Sequence, residues 1–389
     1  MTLRSLLLVF AACVLPGCYL SHELGDDAGV RDLGTTDGEA CMPTTGHPRP
    51  LDVLFVVDDS PSMAEEQAQL AVEIPRFVLG LVTGDSNADG VRDFQPIEDM
   101  HVGVITVNMG VGGVANVPTC MRAPDFGDDG VLLTSPRLGG AGCLSSYPHF
   151  LAYTAGGDAM RFSTDLSCLA RTGASGCGDE QQLDATIKAL LPSTSPVTFF
   201  SGTHGHGDDP ATNGGFLRAG SVIAVLMLTD EDDCSTADPD IWNPASSVHS
   251  GDLNLRCINY DDQLYPTSRF VDALHSLRPT APADLVLLAI TGVPPDLVDI
   301  SSSPTIDYTR LFADPRMQNH ITTMGSVQTL DPACSSPGRG IAAPGVRITK
   351  VARGLGTSGL VQSICASDFN LSLAWLAARA GGRASCVTP

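Results

Sequence analysis

The chain has 389 residues, 43% of them hydrophobic and 17% charged, which is enough apolar material for a large folded core. Its formal net charge of −22 argues against a nucleic-acid partner, because phosphate contacts need clustered Lys and Arg. The 40 Gly and 27 Pro residues imply many loops, and the acidic balance suits a cation-binding protein outside the cytoplasm.

The N-terminus points to a compartment. Arg4 is followed by an apolar run from Leu6 to Leu15, too short to span a membrane permanently, and then by Pro16-Gly17-Cys18. Leu15-Pro16-Gly17-Cys18 resembles the bacterial lipobox. The resemblance implies a lipoprotein signal peptide over 1–17, with Cys18 lipidated as the mature N-terminus. Tyr19 stands where Asp commonly marks inner-membrane retention, so the expectation is an outer-membrane lipoprotein facing the periplasm or the cell surface. An ordinary secretory signal with an incidental Cys is the alternative.

Cys13 leaves with the signal and Cys18 takes the lipid, which leaves an even ten of the 12 Cys for disulfides in an oxidising compartment. Local spacing suggests Cys120–Cys143, Cys168–Cys177 and Cys234–Cys257. Cys334–Cys365 and Cys41–Cys386 follow by elimination. No Cys-x-x-Cys occurs, which argues against a zinc knuckle.

Residues 18–50 are polar, rich in Gly, Asp and Thr, and read as a flexible acidic tether. Leu51 to Val57 is an apolar run, predicted as a strand buried on both faces of a parallel sheet. It ends in Asp58-x-Ser60-x-Ser62, a carboxylate and two hydroxyls on alternate residues. Such hard oxygens suit Mg²⁺, Mn²⁺ or Ca²⁺. Met63 to Leu81 carries a helical pattern, with Ser62 as candidate N-cap and a kink or break expected at Pro75.

Asp85, Asn87, Asp89, Gly90 and Asp93 occupy positions 1, 3, 5, 6 and 9 of an EF-hand-type loop, with the Val91 carbonyl as a further donor. The stretch resembles the DxNxDGxxD loops of dockerins and thrombospondin type 3 repeats, which implies a structural Ca²⁺. Pro96 replaces the acidic twelfth ligand; Glu98 or Asp99 could substitute. The alternative is a metal-free Asn/Asp/Gly turn.

His101 to Asn108 reads as a second strand, and 109–178 as loop-rich. Asp179 to Leu191 is predicted helical. His204-x-His206-x-Asp208 resembles the metal motif of metallo-β-lactamase-like hydrolases, although Asp209 stands where that motif has its last His; a Gly/His/Asp surface loop is the alternative. Ser221 to Thr229 is a further apolar strand, ending in Asp230-Glu-Asp-Asp233. Arg269 to Leu277 is a short helix, Ala283 to Thr291 another apolar strand, Val346 to Ala352 a further strand, and Asp368 to Ala380 a closing helix.

Strands alternating with helices predict an α/β fold: a doubly wound, mostly parallel, Rossmann-like sheet flanked by helices. Long disulfide-bonded insertions are expected at about 82–100, 109–178, 231–265 and 293–345. Two strands ending in Asp58-x-Ser60-x-Ser62 and Asp230 resemble the von Willebrand factor type A (VWA) domain and its metal-ion-dependent adhesion site, MIDAS. The resemblance spans 51–389 and extends to Cys-rich VWA lipoproteins of Gram-negative bacteria. It implies an adhesion module, not an enzyme: Ser60 and Ser62 bind Mg²⁺ (or Mn²⁺ or Ca²⁺), Asp58 and Asp230 hold it directly or through water, and one open position accepts an Asp or Glu of a partner protein. It also implies a Thr at the start of a middle helix, for which Thr172 and Ser175 are candidates and Glu180 a further one. A hydrolase built on His204, His206 and Asp208, or a calcium-stabilised structural envelope protein, are the competing readings, and an Asp/Ser helix cap is the metal-free one.

Overall fold

The computed structural model describes residues 42–43, 46–120, 125–298, 305–337 and 340–387. The expected signal peptide, Cys18, much of the tether and the Cys41 half of the Cys41–Cys386 pair lie outside the described residues.

The apolar run forms strand β1, Leu51–Val57, with every residue buried. It sits at the centre of a six-stranded sheet with β2 (Asp99–Thr106), β3 (Leu151–Thr154), β4 (Val222–Leu228), β5 (Leu285–Thr291) and β6 (Gly359–Ser363). The order is β6-β5-β4-β1-β2-β3, and only β3 runs antiparallel, at one edge. The chain therefore moves outward from β1 to β2 and β3, returns to the other side of β1 as β4, and moves outward again. That makes the β1/β4 boundary a topological switch point, where the carboxyl ends of the strands open a crevice.

Both faces are covered, as a parallel sheet requires. Val53, Phe55 and Val57 pack into one core with helices α1 (Ala64–Thr83), α2 (Ala159–Ala170) and, from the chain end, Asn370–Ala384. Leu54 and Val56 pack into the other with α3 (Gln182–Leu190), α4 (Thr267–Ser276) and α5 (Val346–Gly354). The closing helix Asn370–Ala384 is α6. The two-residue alternation of a strand divides β1 between two cores. Asp52, fully buried at the opposite strand end, is held by the Ser221 hydroxyl at 2.6 Å and the Arg218 backbone N–H at 2.7 Å.

Three expectations are corrected. Val346 to Ala352 is helix α5, not a strand; the parallel strand follows it at Gly359–Ser363. Alternation at Val346 and Ile348 mimics a strand, but Ile348, Val351, Ala352 and Leu355 recur at helical spacing and are buried. Helix α1 runs on through Pro75 without a break. Pro75 has no N–H for the Ala71 carbonyl, and the Ser167 hydroxyl of α2 donates to that carbonyl instead, at 3.0 Å. The loop-rich stretch 109–178 contains α2, opened by the Asp158 carboxylate on the Met160 and Arg161 N–H groups. Its buried Phe162, Leu166, Leu169 and Ala170 already carry helical spacing.

The disulfides connect differently from local expectation. Cys234–Cys257 and Cys334–Cys365 form, but Cys120–Cys143 and Cys168–Cys177 do not. Cys120 pairs with Cys177 and Cys143 with Cys168, with Cα–Cα distances of 4.3 and 5.7 Å. Strand β3 lies between Cys143 and Cys168, and α2 carries Cys168 back to Cys143, so adjacency along the chain does not decide partners.

Candidate metal centre

Strands β1 and β4 end level, with Val57 opposite Leu228. The Asp58 N–H donates to the Leu228 carbonyl at 3.0 Å, which carries the ladder one residue further. Asp58 is fully buried. One carboxylate oxygen accepts from the Ser60 N–H at 2.7 Å, and the other from the Thr229 hydroxyl at 2.6 Å. Thr229 in turn accepts from the Gln182 side-chain amide at 2.8 Å, so its single proton goes to Asp58. Burial raises the Asp58 pKa, and the bonds from Thr229 and Ser60 oppose that rise.

The Ser60 and Ser62 hydroxyls lie 3.2 Å apart, and Ser62 bonds to the Asp230 carboxylate. Ser62 does not cap α1: the N-cap is Met63, with no side-chain bond to the helix. Asp58, Ser60, Ser62 and Asp230 thus gather at one point from two strand ends. Ser60 and Asp58 are buried, whereas Pro61 and Ser62 are exposed and form the mouth.

The third loop docks on the same point. Gln67 of α1 donates to the carbonyls of Asp58 and Gly173, both at 2.7 Å, and accepts from the Gly173 N–H at 3.0 Å. The Thr172 hydroxyl donates to the Asp58 carbonyl at 3.3 Å. Thr172 is brought to the site but spends its proton on the backbone; Ser175 faces solvent. The Gly176 N–H donates to the Asp59 carbonyl at 2.8 Å. A Cβ on Gly176 would lie 2.4 Å from the Asp59 carboxylate, so this approach needs glycine. The Cys120–Cys177 bridge fixes the loop just beyond.

The acidic run after β4 divides its work. Asp232 accepts from the Arg347 N–H at 3.0 Å and opens α5; Asp233 accepts from the Leu183 N–H at 2.9 Å and opens α3. Asp230 and Glu231 remain for the crevice. Burial, then Asp58 and Glu231, push Asp230 up to about 8. Burial and Asp58 push Asp59 to about 8 as well. Glu180 is hydrogen-bonded to Glu231 and raised well above the usual range by burial and by the charges of Glu231 and Asp58. One oxygen each of Asp59, Glu180 and Asp230 is buried without a hydrogen-bond partner. Buried acceptors left so are costly, and a hard cation would satisfy them. The donor set fits such an ion: oxygens only, with acids as the main charged neighbours of Asp230. Asp59, Gln67, Gln182, Thr229 and Glu231 were not legible as site residues, although Asp59 and Glu231 adjoin residues that were.

The 85–93 loop follows α1 directly, after Gly84 in the left-handed conformation. Asp85 accepts from the Gly90 N–H at 2.9 Å and the Asp89 N–H at 3.2 Å, Asn87 from the Asp89 N–H at 3.0 Å, and Asp89 from the Val91 N–H at 2.8 Å. Asp93 accepts from the Ser86 N–H at 2.9 Å. Gly90 has φ +87°, as a tight loop needs. Neither substitute for Pro96 joins in: Glu98 pairs with His47 and Asp99 with Arg218.

His204, His206 and Asp208 line one open cavity of about 480 Å³ with Asp129, Ser193 and Thr203. His206 is bonded to Asp129 at 2.9 Å, and Asp208 accepts from the Ser193 N–H at 2.6 Å. Among the described residues, no three or more His, Cys, Asp or Glu side chains are grouped around one point. The two strand ends combine two carboxylates with two hydroxyls. No protein-family model matches this sequence, and no curated protein matches it at a significant level.

Proposed function

We propose that this chain is a divalent-cation-dependent protein-binding module of VWA type. The observation that carries this reading is the gathering of Asp58, Ser60, Ser62 and Asp230 at the β1/β4 switch point, beneath an exposed mouth. Ser60 and Ser62 would offer hydroxyls to Mg²⁺, Mn²⁺ or Ca²⁺. Asp58, with both oxygens already accepting hydrogen bonds, acts from behind, and Asp230 supplies the unbonded oxygen. An Asp or Glu of the partner completes the shell. Lipid anchorage at Cys18 to the outer membrane would place the module in the cell envelope.

The test is a pull-down of the mature protein from cell envelope, with Mg²⁺ and with EDTA, using wild type and Asp58→Ala. A prey protein recovered only by wild type with Mg²⁺ supports the proposal. Identical prey in all arms sinks it. A structural calcium at 85–93 is a separate reading, favoured by the Asp85-to-Gly90 bond that shapes the loop. If Asp85→Ala/Asp89→Ala melts at the wild-type temperature with and without Ca²⁺, that loop is a plain turn.

A further inference from the structure

We propose that Glu180 and Glu231 hold a second hard divalent cation beside Asp58, with the side-chain amide oxygen of Gln182 as a third donor. Glu180 is 2% exposed, and one of its oxygens is buried with no hydrogen-bond partner. Its carboxyl is in hydrogen-bonding contact with that of Glu231. Two bare carboxylates side by side repel, and a cation seated between them removes that repulsion.

The neighbourhood supplies acceptors. Gln182 is fully buried and its amide nitrogen is committed to Thr229 at 2.8 Å, while its amide oxygen has no partner. The same Thr229 oxygen accepts from the Glu231 N–H at 3.3 Å, so the Gln182 amide and Glu231 meet around one hydroxyl. Asp179 adds negative charge close by, with one of its oxygens accepting from Thr119 at 2.8 Å. Two carboxylates and an amide oxygen suit Ca²⁺, which takes mixed oxygen donors in flexible geometry.

This position shares no ligand with Asp58, Ser60, Ser62 and Asp230, so the two can be removed separately. The experiment uses the full mature chain carrying Asp85→Ala/Asp89→Ala, which silences the 85–93 loop. Bound Ca²⁺ is counted after equilibrium dialysis, with Tb³⁺ luminescence as a second measure. Two ions per chain are expected, falling to one in Glu180→Gln/Glu231→Gln and to one in Asp58→Asn. A single ion that survives Glu180→Gln/Glu231→Gln but not Asp58→Asn overturns the second position and leaves the first. A single ion with the opposite behaviour supports the second and removes the first. No bound ion overturns both. Should the double variant lose its cooperative melt, Glu180→Asp keeps the charge but shortens the reach, and is expected to weaken the second ion by about tenfold or more; unchanged affinity there overturns the proposal.

Discussion

At the residue scale, the crevice stores a conflict between charge and burial. Asp58, Asp59, Glu180 and Asp230 all have raised pKa values, chiefly from burial, and acidic neighbours add to the rise at Asp59, Glu180 and Asp230. A carboxyl whose folded pKa lies above its unfolded value stabilises the fold fully below the unfolded pKa, and that stability is lost as pH rises through the folded pKa. Without a cation, these groups therefore favour the fold near pH 4 and lose that contribution as pH approaches 8. In EDTA, the melting temperature is expected to fall between pH 5.5 and pH 8, and added Ca²⁺ is expected to restore more at pH 8 than at pH 5.5. Differential scanning fluorimetry reads both; a melting temperature in EDTA that climbs over this range contradicts the account. Gly176 offers a second residue-level check. Its absent Cβ makes room for Asp59, whereas a Cβ on Gly178 meets nothing closer than 3.4 Å. Gly176→Ala is expected to weaken cation binding about tenfold, with Gly178→Ala near wild type in the same titration.

At the element scale, α1 illustrates how a local rule is overridden by a neighbour. Pro75 removes one helical hydrogen bond, and Ser167 on α2 satisfies the carbonyl that it leaves. Ser167→Ala is expected to destabilise the protein by about 1 kcal/mol. In a Pro75→Ala background, where residue 75 regains an N–H, the same change is expected to cost less. Equal costs in a urea-denaturation double-mutant cycle would mean that the Ser167 hydroxyl does not replace the missing bond. The N-terminal end of the same helix supplies Gln67, whose amide bonds both the Asp58 turn and Gly173. Helix α1 thus sets the distance between the first and third loops of the centre. Asp232 and Asp233 show the reverse lesson. They continue the acidic run begun by Asp230, yet they open α5 and α3 and so position the sheet's flanking helices.

At the scale of the whole molecule, the sheet order decides the site and the disulfides secure its loops. Peptide mapping without reduction is expected to recover Cys120–Cys177 and Cys143–Cys168. Recovery of Cys120–Cys143 would contradict this fold for the 109–178 insertion. Replacing Cys120 and Cys177 together by Ser is expected to cost about 2–5 kcal/mol and to weaken cation binding, because the loop carrying Thr172 and Gly176 loses its tie. The Cys143–Cys168 pair, which joins the region before β3 to α2, is expected to cost stability with a smaller effect on the ion.

The central strand, the α/β class, and the placing of Asp58, Ser60, Ser62 and Asp230 at strand ends were set by local chemistry. An unbroken apolar run has one stable home, a strand covered on both faces, and polar residues that end such a run fall at its rim. Only the tertiary structure decided which residues share that rim. Thr229 and Gln67 bond Asp58, and Gln182 bonds Thr229, because β4, α3 and α1 converge on the end of β1, and no spacing along the chain encodes that convergence. The same holds for the cysteine partners and for α5, whose short apolar pattern fits a strand or a helix until the sheet it covers selects the helical face. Local patterns fix what a segment can be; packing against distant segments fixes what it touches.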